Sequence, residues 1–312
     1  MIDPRLQTLR VLRAEGTVTA TAAVLHLTPS TVSQQLRQLA AELGVQLLRP
    51  TGRRVALTPA AHTLVRHADA LHEQWERAAA ALEAHSTGGA GHLRITGVAS
   101  AMAAVTAPAV RRLHTRFPQM TFHLSEDPGE DRFRLLVAGR ADIAVVIPAA
   151  GTPPPGDRRF TQRALLQEPQ DLLVAEDHPL ARRAAVELRD AAHETWIQAG
   201  DPHDQHQLLL SAAAAAGFAP RIEHAAVDWF AVASLVAHGH GICLMPRLAP
   251  LPSDLPVRRV PLGGRGAPTR HLVACARRGS TGQTTVSRGL SALQEAADAW
   301  QSAHGGGPLP GE

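Results

Sequence analysis

The hydrophobic positions of the first 43 residues follow helical spacing. Leucines recur from Leu6 to Leu12, and Gly16 separates this stretch from a second apolar stretch at residues 20–27. We predict a third helix that opens at Thr28-Pro29, because a hydroxyl caps free N–H groups and proline tolerates the first helical position. Its apolar stripe is Val32, Leu36, Leu39 and Leu43.

Residues 49–57 are typical of a wing, since Gly52 centres a turn between two short extended pieces and two arginines follow it. Thr58-Pro59 then repeats the capping signal and opens a long helix to about residue 85. Its apolar residues alternate spacings of four and three, as in a coiled coil. They are Leu64, Ala68, Leu71, Trp75, Ala78 and Leu82. Because so narrow a seam cannot be buried by one helix, we expect it to form a dimer.

Beyond residue 91 the pattern changes to strands that alternate with helices. Residues 86–91 are small and form a predicted hinge. Strands are predicted at 93–98, 120–124, 143–147, 172–175 and 196–198, with a helix from 103 to about 116. This order indicates an α/β sheet covered by helices. We expect the Gly/Pro-rich tail at 302–312 to be disordered.

Composition narrows the classes of function. The 312 residues are 45% hydrophobic and 19% charged, which fits two or three globular domains. The chain has no lysine, so a pyridoxal phosphate Schiff base, a Walker A loop and a protein kinase site are excluded. No nucleophile elbow, zinc-protease motif or dinucleotide fingerprint occurs. We therefore expect that the protein is not an enzyme and needs no cofactor.

Charge is concentrated at the N-terminus. Residues 1–66 hold eight arginines and three acidic residues, while the remainder is slightly acidic. Such asymmetry favours an anionic partner for the N-terminal segment, and nucleic acid is the usual one.

The two cysteines, Cys243 and Cys275, lie in apolar runs and are interpreted as core thiols in a reducing compartment. The chain opens without an apolar leader, and no run of about 18 apolar residues occurs. We expect a cytoplasmic protein that does not enter a membrane.

The third helix carries the candidate DNA contacts on the face opposite its apolar stripe. Arg37 is the strongest candidate for a base contact, because a guanidinium pairs bidentately with guanine. Arginines in the wing favour phosphate or narrow-groove contacts. The predicted DNA-binding residues are Thr28, Ser30, Thr31, Ser33, Gln34, Arg37, Arg53 and Arg54.

Several segments together resemble the LysR-type transcriptional regulators. The first is AAVLHLTPSTVSQQLRQL at 22–39, followed by ELGVQLL at 42–48 and TGRRV at 51–55. Further matches are RFP at 116–118, GRADIA at 139–144, HPLA at 178–181 and LVAHGHGICLMP at 235–246. Their order and spacing cover nearly the whole chain.

The resemblance implies an α/β protein with an N-terminal all-α winged helix-turn-helix and a C-terminal effector domain like a two-lobed periplasmic binding protein. It places the DNA-binding domain at 1–58, the linker helix at 59–87 and the effector domain at 92–301. Lobe 1 is expected at about 92–163 and 269–301, and lobe 2 at about 164–268. Expected partners are a pseudo-palindromic duplex, a small effector, further copies in a homodimer or homotetramer, and RNA polymerase as a further candidate.

The resemblance also implies an effector cleft between the lobes. The residues expected to line or approach it are Ser100, Ala101, Met102, Val146, Ile147, Gln198, Asp228 and Trp229. These groups favour a small, partly apolar organic ligand of undetermined charge. A helix cap is an equally good interpretation of Ser100, which follows the first strand.

Two alternatives compete with an effector-controlled regulator. The 17 histidines raise a metal hypothesis at Asp201, His203, Asp204 and His206, but an acidic helix start explains this cluster better, so no metal site is predicted. The other alternative is a metal- and redox-independent ligand-binding or DNA-associated protein without specific regulatory output.

Overall fold

The computed structural model describes residues 2–51, 54–83, 91–126, 131–149, 151–201, 204–264 and 266–304. The predicted wing tip at Gly52 and Arg53, most of the predicted hinge and residues 305–312 of the predicted tail lie outside these residues. Residues 302–304, also predicted to be disordered, instead belong to the last helix.

Three helices and a β-hairpin form the N-terminal domain. They are α1 (Pro4–Glu15), α2 (Val18–Leu25), α3 (Pro29–Leu43), β1 (Leu48–Thr51) and β2 (Arg54–Leu57). Asp3, Thr17 and Thr28 cap the three helices with side-chain oxygens. The antiparallel β1–β2 pair confirms the wing, and Leu9, Leu36 and Leu47 lie in the core beneath it.

The linker helix α4 spans Pro59–Glu83. Thr58 starts it as predicted: its hydroxyl accepts from the Ala61 N–H at 3.1 Å and donates to the Gln46 carbonyl at 2.6 Å. The predicted end near residue 85 lies outside the described residues. Within the described residues, no helix combines the length and apolar character that crossing a bilayer requires.

The C-terminal region is an α/β structure, which confirms the predicted fold class. Its strands are β3 (Gly91–Gly97), β4 (Met120–Ser125), β5 (Ile143–Val146), β6 (Phe160–Ala175), β7 (Thr195–Ala199), β8 (Arg221–Ala226), β9 (Cys243–Pro246), β10 (Val257–Pro261) and β11 (Thr269–Arg277). Its α-helices are α5 (Ala99–Ala101), α6 (Ala107–Arg116), α7 (Arg132–Ala138), α8 (Gln205–Ala215), α9 (Trp229–Ala237) and α10 (Thr284–His304). A π-helical segment, Met102–Thr106, joins α5 to α6, and 3-10 turns span Pro179–Arg182, Leu188–Ala191 and Arg278–Gly282.

One strand, β6, runs through both lobes. The described strands form one sheet in the order β10-β6-β11-β5-β3-β4, with β9 also paired to β6, and a second sheet of β7 and β8. The first part of β6 pairs with β11 in lobe 1, and its second part pairs with β9 and β10 in lobe 2. The change of partner falls between Pro169 and Gln170, and a register shift between Leu272 and Val273 lies within the β6–β11 ladder of lobe 1.

The N-terminal domain and linker helix pack against lobe 1. The Gln7 side chain donates to the Val137 carbonyl at 3.0 Å, and Glu15 lies 3.6 Å from Arg134. On the linker helix, Glu76 accepts from Arg277 Nε at 2.5 Å. Lobe 1 thus contacts the DNA-binding domain on one side and lobe 2 on the other.

Candidate DNA interface and effector cleft

The N-terminus of α3 carries a cluster of hydroxyl groups. Thr28 is the N-cap, and its Oγ1 accepts from the Thr31 N–H at 3.1 Å. The same oxygen lies 2.8 Å from both the Ser30 and the Thr31 hydroxyl oxygens. Thr28 therefore has a structural role in starting the helix, whereas Ser30 is exposed at its first turn.

The outer face of α3 is open to solvent. Gln34 and Arg37 are exposed and Ser33 is half-buried, while Val32 and Leu36 on the opposite face are buried. The only hydrogen bond described for the Arg37 guanidinium goes to the Ser33 carbonyl at 3.3 Å, from Nε. Because Arg37 forms no ion pair within the described residues, its charge is available to an anionic partner.

The predicted wing contacts are only partly described. Arg53 lies outside the described residues, and only the backbone of Arg54 is described, opposite Thr51 in the β1–β2 pair.

The predicted coiled-coil seam needs a correction at its N-terminal end. Ala68 is 1% exposed and Leu64 packs against the core of the N-terminal domain. Both residues therefore pack within their own chain, and Ala68 is too buried to contact a second chain. Leu71, Trp75, Ala78 and Leu82 are exposed and form a continuous apolar surface on α4, which we call the linker stripe.

A cavity of about 40 Å³ lies between the lobes. Lobe 1 lines it with Val98, Ala99, Ser100, Glu126 and Arg132, and the remaining lining residues are Gly200, Asp201, Asp204, Gln205, Val227, Trp229 and Arg270. Ligand sites usually occupy about 300–1,000 Å³, so this cleft is nearly shut.

A buried polar network links the two lobes at this cavity. Arg270 Nε donates to Glu168 Oε2 at 2.6 Å, and Glu168 is fully buried. Arg270 Nη2 donates to the Ser100 hydroxyl of lobe 1 at 2.5 Å, and Nη1 donates to Gln205 Oε1 of lobe 2 at 3.3 Å. Gln205 in turn donates to Gln170 Oε1 at 2.9 Å. The Arg270 guanidinium therefore connects both lobes and is neutralised by one carboxylate.

Two further ionisable groups line the cavity. Burial raises the pKa of Asp204 above its usual value, against the opposing charge of Arg270. The buried Nε of Arg132 has no hydrogen-bond acceptor among the described residues. Together they give the cleft both a donor and an acceptor that a ligand can satisfy.

The structure places two of the eight predicted effector residues, Ser100 and Trp229, at the cavity wall. The capping interpretation of Ser100 is wrong, because Val98 is the N-cap and Ser100 lies within α5. Asp228 is instead the cap of α9: its Oδ1 accepts from the Ala231 N–H at 2.9 Å, and its side chain is exposed.

The other five predicted effector residues lie away from the cavity wall. Ala101 and Val146 are buried in the hydrophobic cores of lobe 1, and Ile147 packs against one of them. Met102 and Gln198 are half-buried outside the cavity. Sequence reasoning missed Arg270 and Glu168, although a charged residue within each of two strand-like stretches was a usable signal.

The metal hypothesis gains no support from the described residues. No three His, Cys, Asp or Glu side chains there come close enough to hold an ion. His203, one member of the cluster, lies outside the described residues.

Comparison with known proteins identifies the family. Residues 4–62 match the model of the bacterial regulatory helix-turn-helix protein of the lysR family, and residues 86–298 match the LysR substrate binding domain. The chain therefore belongs to the LysR family and is a LysR-type transcriptional regulator.

Relatives agree with this assignment. The chain is 30% identical over 229 residues to the HTH-type transcriptional regulator TtuA of Agrobacterium vitis, covering 72% of this chain and 74% of TtuA. It is 27% identical over 231 residues to the hydrogen peroxide-inducible genes activator of Dickeya chrysanthemi, covering 72% of each. A full-length OxyR structure from Pseudomonas aeruginosa shares the fold at 20% identity, with a TM-score of 0.63 and coverage of 94% and 96%.

Proposed function

We propose that this regulator reads its operator as a dimer through the exposed face of α3. The observation that carries the proposal is the solvent-facing set of Ser30, Gln34 and Arg37 on a capped helix, with no carboxylate paired to Arg37 in the described residues. A dimer places two such helices in successive major grooves, which matches a pseudo-palindromic site.

The primary experiment is fluorescence anisotropy of the full-length protein with duplexes tiled across the DNA upstream of its own gene. Random duplex competes at two salt concentrations. We expect one duplex to resist competition. Weak binding to all duplexes that collapses with salt would reflect phosphate contacts alone and would contradict specific recognition.

Arg37→Ala tests the base contact. We expect a loss of about 1–3 kcal/mol in discrimination at one base pair, because a bidentate arginine–guanine contact is removed. Arg53→Ala should weaken specific and random duplexes more evenly. Arg111→Ala, an exposed arginine of α6, is the matched control for lost charge. Equal losses on both kinds of DNA for Arg37→Ala would contradict its assignment.

We propose that the linker stripe forms the dimer contact. Leu71 and Trp75 are 53% and 45% exposed, which is unusual for large apolar side chains on one helix face. Leu71→Glu with Trp75→Glu should give monomers in sedimentation velocity and reduce operator affinity. Phe230→Glu, at a 58% exposed phenylalanine of α9, is the control for added charge. A double variant that stays dimeric would place the interface elsewhere.

We infer that a small organic effector with polar groups binds between the lobes and regulates transcription without being converted. Trp229 and Val227 supply apolar surface, and Ser100, Arg132 and Asp204 supply polar partners. Because the cavity holds only about 40 Å³, effector binding must separate the lobes or displace wall side chains. The effector then favours the arrangement in which the lobes are apart or the wall side chains are displaced, and this preference couples its binding to the geometry of the lobes.

A thermal-shift screen of small organic acids and amines with the full-length protein tests the cleft. A stabilising ligand should lose its shift in Trp229→Ala and in Ser100→Ala, and keep it in Ser211→Ala, an exposed serine of α8. A ligand that stabilises all three variants equally would bind outside the cleft.

The peroxide response named for a relative does not extend to the thiols of this chain. Burial raises the pKa of both Cys243 and Cys275 to about 12, so neither supplies a thiolate near neutral pH. Their pairing partners on β6, Leu173 and Gln162, are eleven residues apart, which is roughly 35 Å along a strand. A disulfide between them is excluded by distance, which favours a non-covalent effector.

A further inference from the structure

A second, larger cavity lies between the N-terminal domain, the linker helix and lobe 1. Its volume is about 730 Å³, within the range of small-molecule sites. Helix α1, helix α4, the segment 156–160 and the end of β11 all contribute to its wall. This cavity, which we call the junction cavity, is separate from the cleft between the lobes.

Arginine dominates the wall of the junction cavity. Eight arginines and four acidic residues line it. Each acid is already engaged by an arginine. Asp69 accepts from Arg10 at 2.6 Å, and Glu73 pairs with Arg77.

The other two acids are engaged in the same way. Asp157 accepts from Arg159 at 2.7 and 3.0 Å, and Glu76 accepts from Arg277 at 2.5 Å. Four positive charges are therefore left over at the wall.

The four remaining arginines come from four different parts of the chain. Arg158 and Arg278 form no side-chain hydrogen bond or ion pair within the described residues, and both are exposed. Arg66 donates only to the His62 carbonyl and the Thr63 hydroxyl. Arg13 shares Asp69 with Arg10, at 3.6 Å. Each of the four is thus able to engage an anion within the cavity.

The pKa of one histidine in the same wall, His72, is shifted by its surroundings. Burial and the nearby charges of Arg10 and Arg277 lower the pKa of His72 to about 3. Glu76 lies 3.7 Å from its Nε2, but Glu76 is already paired with Arg277. Near pH 7 His72 is neutral and serves as a hydrogen-bond partner rather than as a further cation.

The junction cavity does not compete with the proposed dimer contact. With about 3.6 residues per turn, Asp69, Glu73 and Glu76 lie on the side of α4 opposite the linker stripe. A second α4 packed on the linker stripe therefore leaves the cavity accessible. The cavity walls also belong to one chain, so a ligand there joins the DNA-binding domain to lobe 1.

We propose that the junction cavity binds a small polyanion, such as a phosphate ester or a polycarboxylate. Guanidinium groups pair bidentately with both phosphate and carboxylate, and an excess of four arginines over acidic residues around one space favours a ligand with two or more negative charges. This site goes beyond the effector cleft, where Arg270 is already paired with Glu168 and Arg132 is the one other arginine in the wall.

Isothermal titration calorimetry of the full-length protein tests the site, with pyrophosphate and citrate as the two anions at constant ionic strength. We expect saturable binding of one anion per chain, and the anion that binds distinguishes the phosphate class from the carboxylate class. Arg158→Ala with Arg278→Ala should weaken it by about tenfold or more. Arg111→Ala with Arg112→Ala, at two exposed arginines of α6, removes the same charge and should leave binding unchanged.

Three controls make the result decisive. Thermal unfolding should show both double variants folded, since all four arginines are exposed. Ser100→Ala, in the effector cleft, should keep anion binding. Absence of saturable binding for both anions, or equal binding by both double variants, would overturn the proposal. Loss of random-duplex affinity in Arg158→Ala with Arg278→Ala, without any loss of anion binding, would assign these arginines to DNA and also overturn it.

Discussion

Lobe 1 forms a different kind of cavity with each of its two neighbours. Towards lobe 2, the cavity of about 40 Å³ is built around one guanidinium, Arg270, whose charge the buried Glu168 neutralises. Towards the DNA-binding domain, the cavity of about 730 Å³ is lined by more arginines than acids. The first is closed by internal pairing, and the second keeps an excess of positive charge.

The difference shows how burial dictates pairing. A charge removed from water requires a partner of opposite sign. An exposed guanidinium is instead stabilised by solvent, so it can remain unpaired until a ligand binds. Substitutions that remove one acid should therefore have larger effects at the lobe–lobe cavity than at the junction cavity.

The largest loss of stability is expected for Glu168→Gln. The amide keeps the shape of the side chain but leaves the buried Arg270 charge without a counterion, which should lower the free energy of unfolding by about 3–5 kcal/mol. Urea denaturation measures the change. Glu295→Gln, at an exposed glutamate of α10, should change it by less than about 0.5 kcal/mol. A loss for Glu168→Gln as small as this control would mean that Glu168 does not neutralise Arg270.

A smaller effect is expected for Glu76→Gln on the linker helix. Arg277 loses its carboxylate, but it retains the carbonyls of Leu136 and Ala141 and a contact with Asp142 at 3.4 Å. We therefore expect a loss of about 2–3 kcal/mol.

Glu73→Gln is the matched control for that variant, one turn earlier on the same helix, because its partner Arg77 is exposed. Its expected loss is about 0.5 kcal/mol or less. Equal losses of unfolding free energy for the two variants in urea denaturation would contradict the claim that the buried ion pair on α4 contributes more than the exposed one.

The smallest effect is a pH dependence that originates at His72. The unfolded chain takes up a proton below its ordinary pKa of 6.5, whereas the folded chain keeps His72 neutral down to about 3. The unfolded state therefore binds more protons in this window, and stability falls as pH falls. Between pH 7 and pH 5 the contribution is about 1–2 kcal/mol.

Denaturant unfolding of the native protein and of His72→Gln at both pH values isolates this contribution. Carboxylates titrate in both proteins, so only the difference between the two pH slopes reports on His72. We expect the variant to lose less stability on acidification. Identical slopes would show that His72 is protonated equally in the folded and unfolded states.

The N-terminal domain was predictable because its signals are local. Thr28-Pro29 and Thr58-Pro59 start helices at the expected residues, since a cap is set by side chains within three positions of it. The wing was predictable for the same reason. The apolar spacing of α4 gave the helix correctly, but spacing cannot say which partner covers an apolar residue. Ala68 is the example, because it is buried by its own chain and not by a second one.

The effector cleft was less predictable because its centre joins distant parts of the chain. Arg270 and Glu168 are 102 positions apart and meet only through the β6–β11 register. Asp228 illustrates the opposite error, because a carboxylate predicted at the cleft caps the helix that it precedes. The carboxylate of Asp228 suggested a ligand-binding role, but it already accepts a hydrogen bond from the backbone of its own helix.

The one strand that passes through both lobes, β6, restricts how those lobes can move. Domains joined by loose peptide rotate freely, but β6 and β11 are held together by a hydrogen-bonded ladder on the lobe 1 side of the crossing. Pro169 cannot donate to that ladder, and the register shift at Leu272/Val273 softens it nearby. We therefore expect opening of the cleft to bend β6 near Pro169. A strand paired on both sides of that point resists bending, so we expect the lobes to return to their resting angle once a ligand that separates them departs.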